Sequence, residues 1–555
     1  MVFIVLAGSP RGGGTLTELD AAGVASAPLA FNRAGLPAAV ASREPDRPRW
    51  VWNDTTLWYP ALLDAGVRIE RSQDLRLAHH ILKQSEATRG TALRDAPANS
   101  WDGPAVPAGD HSNTLFDSHA PEHGADPIEE FLLQRRTLDA VAGTDSVKAA
   151  RLQLLLAAES CGALIAEEMR FFGMPWRRDL HAAMLEEALG PRPRFGGRPA
   201  KLEALADRIR ATLDAPALNP DSQPDLLRAL KRAGLPVTGT SKWDLREKRH
   251  PVIEPLLTYK KGARLLSANG WAWMDAWVQN GRFRPEYVVG GVVTGRWATR
   301  GGGALQLPAE VRGAVRADEG WSLVVADAAQ LEPRIIAAMA RDEAMAAAGR
   351  KRDLYQGLVD AGVVDTRAHA KVAMLGALYG ATSGESARLM PRLTRAFPRA
   401  IGLVEAAARA GERGEQVSTW LGRSSPLPGD GWEGADAVPS TDAPPSDDRR
   451  ARQAARDWGR FTRNFVAQGT AAEWAMCWMA GLRQRLRALA DDRGEPHLVL
   501  FLHDEVMVHT PAHLAEAVGT AVTEAADDAG RLLFGDFPVD FALTVATVSS
   551  YDQAK

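Results

Sequence analysis

Cysteine is scarce. Cys161 and Cys477 are the only two in 555 residues, and neither has a second Cys or a His beside it at metal-ligand spacing. That excludes a disulfide framework and a zinc site and leaves both as core residues. The opening MVFIVLAGSPRGGG has a short apolar run but no charged leader or cleavage site, and it falls short of the roughly 20 apolar residues of a membrane span. The chain therefore reads as cytoplasmic, with no membrane partner. A surplus of positive charge is also missing: 66 Lys and Arg face 69 Asp and Glu, for a formal charge of -3. Nucleic-acid-binding domains are usually strongly basic, but the total does not exclude one, because local clusters of cations are enough to line a channel. What is abundant is apolar sequence, 45% of the chain. A single core rarely grows past about 250–300 residues, so at least two domains are expected.

Up to about residue 85, short apolar runs and the Trp-rich RPRWVWNDTTLWYPALLDAGVRIERSQDLRLAHHIL predict a small α/β unit. From Glu86 to about Pro127, Ala, Pro, Gly, Asp and Ser dominate, which predicts a disordered insertion. Apolar residues then return every three or four positions through VKAARLQLLLAAESCGALIAEEMRFFGM and MLEEALGPRPRFGGRPAKLEALADRIRATL, predicting long packed helices. The β-branched runs YVVGGVV and WSLVVAD predict strands, the second reaching Asp327. Helices follow from Leu331 to Gly414, broken near Gly380, Pro391 and Pro398, and then a second polar loop from Gly429 to about Arg449. A helix over Phe465–Ala490 precedes HLVLFLHDEVMVHT, which predicts a β-hairpin turning at His503-Asp504-Glu505.

Asp327 ends one apolar strand and Asp504 interrupts another. A buried strand end cannot hold an isolated carboxylate cheaply, so such a group is solvated, paired or metal-bound. Two aspartates from distant strands suit a pair of divalent ions in phosphoryl transfer. Singly, each also fits an ordinary helix cap or a polar hairpin tip. The matching element is RAHAKVAMLGALYG, where four-residue steps place Arg367, Lys371, Leu375 and Tyr379 on one slowly turning ridge. A guanidinium and an ammonium one turn apart suit nucleotide phosphates, and the Tyr379 ring suits a base. An amphipathic surface helix would show the same spacing.

Five segments together, TGRWATRGGGALQLP (Thr294–Pro308), DAAQLEPR (Asp327–Arg334), RAHAKVAMLGALYG (Arg367–Gly380), RNFVAQGTAAE (Arg463–Glu473) and LHDEV (Leu502–Val506), resemble the motifs of family A DNA polymerases, the bacterial DNA polymerase I type, in the family's order. The resemblance extends from about Ser160 to the C-terminus.

It implies an α+β right hand after a small α/β ribonuclease-H-like domain. Residues 1–150 would be that degenerate 3′–5′ exonuclease-like domain. Residues 151–555 would form the polymerase, with a thumb at about 160–285, a palm at about 286–340 and 415–555, and fingers at about 341–414. Asp327 and Asp504 would bind two Mg²⁺ ions, or Mn²⁺, with Ala328 in the metal set, and Lys371 would join the two aspartates as a catalytic residue. Arg367, Lys371, Leu375, Tyr379, Gln330 and Glu332 would bind the nucleotide, and Glu332 would block a ribose 2′-hydroxyl. Arg296 and Gln468 would reach the minor groove at the primer end, Arg460 and Asn464 would follow the template, and His503 and Glu505 would support the palm turn against DNA. The implied partners are primer-template DNA and dNTPs, for a monomer associated with the nucleoid.

Three positions depart from the family pattern: Leu375 where Phe or Tyr is usual, Ala328 where Tyr is usual, and Tyr355 near an expected phosphate-binding His. The exonuclease signature is missing as well. There is no Asp-x-Glu on an apolar strand before residue 85 and no Tyr-x-x-x-Asp before Ser160, and Asp54 alone matches a middle Asp. A catalytically weak or inactive DNA-binding relative and a single-subunit RNA polymerase are the alternatives; the intact aspartates disfavour the first, Glu332 and the HDE turn the second.

Overall fold

The structure is a computed structural model that describes residues 2–9, 12–103, 126–380, 384–429 and 445–554. Its N-terminal unit is the predicted α/β arrangement. Five strands lie in the order Leu29–Phe31, Gly13–Leu19, Phe3–Ser9, Arg49–Trp52 and Arg71–Asp74, the first three antiparallel and the last two added in parallel. Parallel neighbours need crossover helices, and Thr55–Asp64 is one of these. Trp50, Trp52, Trp58 and Tyr59 fill the core between sheet and helices.

A second sheet of four antiparallel strands orders His497–Leu502, Glu505–Pro511, Trp321–Ala328 and Leu543–Val548. In this register Asp327 lies opposite Glu505 on one side and Thr544 on the other. Three long helices pack around this half of the molecule: Ser146–Phe172, Pro445–Ala488 and Ala515–Phe534. By length and composition the first of these could cross a membrane, but 67% of its apolar window is buried inside the protein, as in a core helix. The helices from Leu331 to Glu412 bury a separate core that includes Ile336, Leu358, Met374 and Leu393.

Several expectations change. Glu86–Asp102 is not a disordered insertion: it forms three short helical turns in which Leu93 and Trp101 are buried. A single anchoring side chain per turn leaves no periodic signal. The rest of that predicted insertion, 104–125, lies outside the described residues, as do 430–444 of the second polar loop. YVVGGVV contributes only the two-residue strand Tyr287–Val288, because its glycines turn the chain back to pair with Ala298–Thr299. Pro391 does not break its helix, Gly384–Ala396, where buried Leu389 and Leu393 flank it and outweigh the one backbone hydrogen bond it forfeits. The predicted Phe465–Ala490 helix begins at Pro445 and ends at Ala488.

Candidate active site

Strand pairing brings the two aspartates together. The hairpin turn has two residues, His503 and Asp504, with His503 in a left-handed conformation and Glu505 already in the next strand. The Ala328 N–H donates to the Asp504 carbonyl at 2.9 Å, which fixes the turn against the strand end carrying Asp327. Burial, reinforced by the negative charge of Asp327, pushes the Asp504 carboxyl up to about 6. Two carboxylates held this way favour a cation between them.

Both aspartates open into a cavity of about 840 Å³. Arg296, Ala328, Gln330, Glu332 and His503 also line it, as do Arg367, Lys371 and Leu375 from the predicted ridge. That ridge is real. Thr366 caps the helix Arg367–Tyr379 by accepting from the His369 N–H, and Gly380 ends it at φ 69°. Ala370, Ala373, Met374, Ala377 and Leu378 are buried, and the four ridge positions keep surface exposed.

The side chains expected to face a nucleotide are held by one another. Arg367 donates to Asp353 at 2.8 Å and lies over the Tyr355 ring, 5.6 Å from its centroid. Gln330, itself left-handed at φ 49°, donates to the same Asp353 oxygen at 3.1 Å. Glu332 pairs with Arg296 and accepts from the Tyr379 hydroxyl at 3.3 Å. Tyr379 also bonds Gln468 and is not among the residues lining the cavity. Burial and the charge of Arg296 push the His503 imidazole down, toward its neutral form.

The remaining expected residues fall elsewhere. Arg460, Asn464 and Gln468 line the helix Pro445–Ala488 rather than the cavity, and Arg460 pairs with Asp457 on its own helix. Glu505 is only 1% exposed and accepts from Tyr551 inside the sheet. It lies opposite Asp327 in the register, supports the turn from within and does not line the cavity, where the sequence grouped it with the DNA-facing residues. The sequence reading also missed Lys351, Arg352 and Asp353, which line the cavity; the only signal was a charged triplet between two helices.

In the N-terminal unit Asp54, fully buried, accepts from the Thr56 N–H and pairs with Arg76 at 2.8 Å. Among the described residues no group of three or more His, Cys, Asp or Glu could hold a metal ion.

Comparison with known proteins bears on the family and the fold. The profile of DNA polymerase family A matches residues 201–551. Curated relatives include the thermostable DNA polymerase I of Thermus filiformis, 25% identical over 63% of this chain and 41% of its own length. That of Thermus aquaticus is 25% identical over 60% and 40%, and the DNA polymerase I of Chloroflexus aurantiacus is 26% identical over 51% and 31%. The chain thus spans about two fifths or less of these relatives' length. In three dimensions it is similar to the POL domain of Pol1 from M. smegmatis, solved with DNA primer-template and dNTP. The TM-score is 0.68 at 19% identity, over 100% of this chain and 96% of that one. The fold likeness thus takes in the N-terminal unit, which the family profile leaves out. With the profile covering well over half of its residues, the chain belongs to DNA polymerase family A.

Proposed function

We propose that the chain is a template-directed DNA polymerase, adding deoxynucleotides to a primer 3′-hydroxyl with release of pyrophosphate. One observation carries this: the like-charged Asp327 and Asp504 open into the same cavity as Arg367 and Lys371. Its parts match a substrate with an anionic tail that arrives with divalent cations.

Family A polymerases use divalent metal ions, and this donor set fits them. Two carboxylates, with no metal-binding group of three or more acidic, Cys or His residues among the described residues, suit Mg²⁺, which retains water and takes its other ligands from substrate phosphates. Asp327 and Asp504 would hold two such ions, Mg²⁺ or Mn²⁺, with Ala328 alongside; bound there, the metal would acidify the primer hydroxyl and neutralise charge on the departing pyrophosphate. Lys371, lining the same cavity as the carboxylates from its helix ridge, would act with Arg367 on the triphosphate. Glu332, clamped between Arg296 and Tyr379, would fill the space of a 2′-hydroxyl and so select dNTPs. Arg296 and Gln468 would check the primer end through minor-groove acceptors common to all base pairs, while Arg460 and Asn464 would follow the template.

The domain boundaries follow from the same assignment: an exonuclease-like unit over 1–150, then thumb, palm and fingers over 151–555. Proofreading would be lost, since Arg76 already neutralises the one matching aspartate. The protein would act as a cytoplasmic, nucleoid-associated monomer on primer-template DNA. Primer extension with dNTPs and Mg²⁺ tests the assignment. Extension by the parent that is lost in Asp504→Ala supports it; duplex binding without extension favours an inactive relative, and preferential use of rNTPs favours an RNA polymerase.

A further inference from the structure

The loop Gly349–Asp353 forms part of the cavity wall beside Arg367, and only its Asp353 has a role so far. A buried arginine builds this loop. Arg334 donates to the carbonyls of Gly349 and Arg352, each at 2.9 Å, and to that of Ala329, two residues past Asp327, also at 2.9 Å. The same guanidinium binds the Asp540 carboxylate at 2.8 Å, whose other oxygen accepts the Lys351 N–H at 2.8 Å. One group therefore fixes the loop to the strand end that carries the aspartate. Held this way, Lys351 sits at φ 54°, left-handed backbone that a β-carbon disfavours. A residue kept in that state where glycine would be relaxed suggests a use for its side chain.

The charges around the cavity point to that use. Of the described cations lining it, Arg296 pairs with Glu332, Arg352 with Asp360 and Arg367 with Asp353. Lys351 and Lys371 line it too and form no ion pair among the described residues. Tyr355, beneath Arg367, contributes no charge: burial and nearby carboxylates push its hydroxyl up to about 12.

We propose that Lys351 is a further triphosphate-binding residue, its ammonium joining Arg367 and Lys371 on the phosphate tail of the incoming nucleotide. This rests on the polymerase assignment above. A lysine is a compact point charge on a flexible stem, suited to phosphate oxygens that move during transfer. The triphosphate is favoured over the DNA backbone because Lys351 shares its loop with Asp353, which holds Arg367 and Gln330. The residues assigned to the template, Arg460 and Asn464, lie on a helix outside the cavity.

Lys351→Gly removes the amine while relaxing the backbone, so the loop is not put at risk. Steady-state primer extension would compare the parent with Lys351→Gly, Lys351→Arg and Arg350→Ala, the last removing a neighbouring cation that does not line the cavity. In Lys351→Gly the KM for dNTP should rise about tenfold with kcat changed by less than about threefold, as for loss of one charge-assisted hydrogen bond made in the ground and transition states alike. Inhibition by inorganic tripolyphosphate should weaken in parallel, Lys351→Arg should recover most of the loss, and Arg350→Ala should change neither. Parental KM and tripolyphosphate inhibition in Lys351→Gly would overturn the proposal alone, as would an equal effect of Arg350→Ala. A parent that extends no primer would instead overturn the polymerase assignment, and the proposal with it.

Discussion

Two pairs of aspartates stand at or just past strand ends, Asp54 with Asp74 in the N-terminal sheet and Asp327 with Asp504 in the C-terminal one, and burial acts alike on both. Asp74 is pushed up to about 6 by burial and the charge of Asp54, as Asp504 is by burial and Asp327. What differs is the company. Asp74 accepts from the Thr55 and Leu77 N–H groups and the Thr55 hydroxyl, while Asp54 caps a helix and pairs with Arg76. The cavity beside them is only about 50 Å³. The second pair faces about 840 Å³ lined with cations. A raised carboxyl marks a pair of crowded charges; whether it also marks a site depends on whether the protein supplies the compensation or leaves it to a ligand.

The comparison breaks most visibly at Asp504. In Asp504→Ala primer extension should fall roughly a thousandfold or more, with the thermal midpoint unchanged or raised, because a crowded charge has been removed without opening a core. An equal loss of extension in Asp54→Ala would erase the distinction. Next in size, Arg76→Ala leaves Asp54 buried without its counter-charge and should lower the unfolding free energy by about 3 kcal/mol in denaturant melts, with extension retained at low temperature. If that variant instead released mononucleotides from a mispaired primer in Mg²⁺, the N-terminal pair would be a masked metal site. A smaller effect is expected at Glu332, where Glu332→Ala should raise ribonucleotide incorporation relative to deoxynucleotide by about tenfold in single-nucleotide assays. Incorporation at the parent's ratio would remove Glu332 from the specificity set.

The smallest signal is a slope. Asp74 has a folded-state value of about 6, above its ordinary 3.8. The folded protein therefore holds this proton more tightly than the unfolded chain does. The stability it contributes is complete below about pH 4 and is lost as pH rises through about 6. Asp74→Asn should flatten that part of the pH dependence in chemical melts, and added Mg²⁺ should not. Flattening by Mg²⁺ in an Asp504→Asn background would show that the N-terminal pair does bind a cation.

Much of the C-terminal half was legible because its signals are local. The period of RAHAKVAMLGALYG placed Arg367, Lys371 and Leu375 on one face, and the β-branched runs located Asp327 and Asp504 at strand ends. Glu505 was harder. Its neighbours look like a solvent-exposed turn, and its burial comes from Tyr551, 46 residues further along the chain, packing against it. Lys351–Asp353 carried no periodic signal, since the loop's shape is set by Arg334 and Asp540 reaching it from elsewhere in the chain.

By itself, then, the sequence determined the elements and the faces they present, because backbone propensity and hydrophobic period act over a few residues. The tertiary structure decided which aspartates would sit beside a guanidinium and a small cavity and which would face a large one. That choice turns on a guanidinium 2.8 Å from Asp54 and an open space beside Asp504, distances that only the packing of remote segments can set.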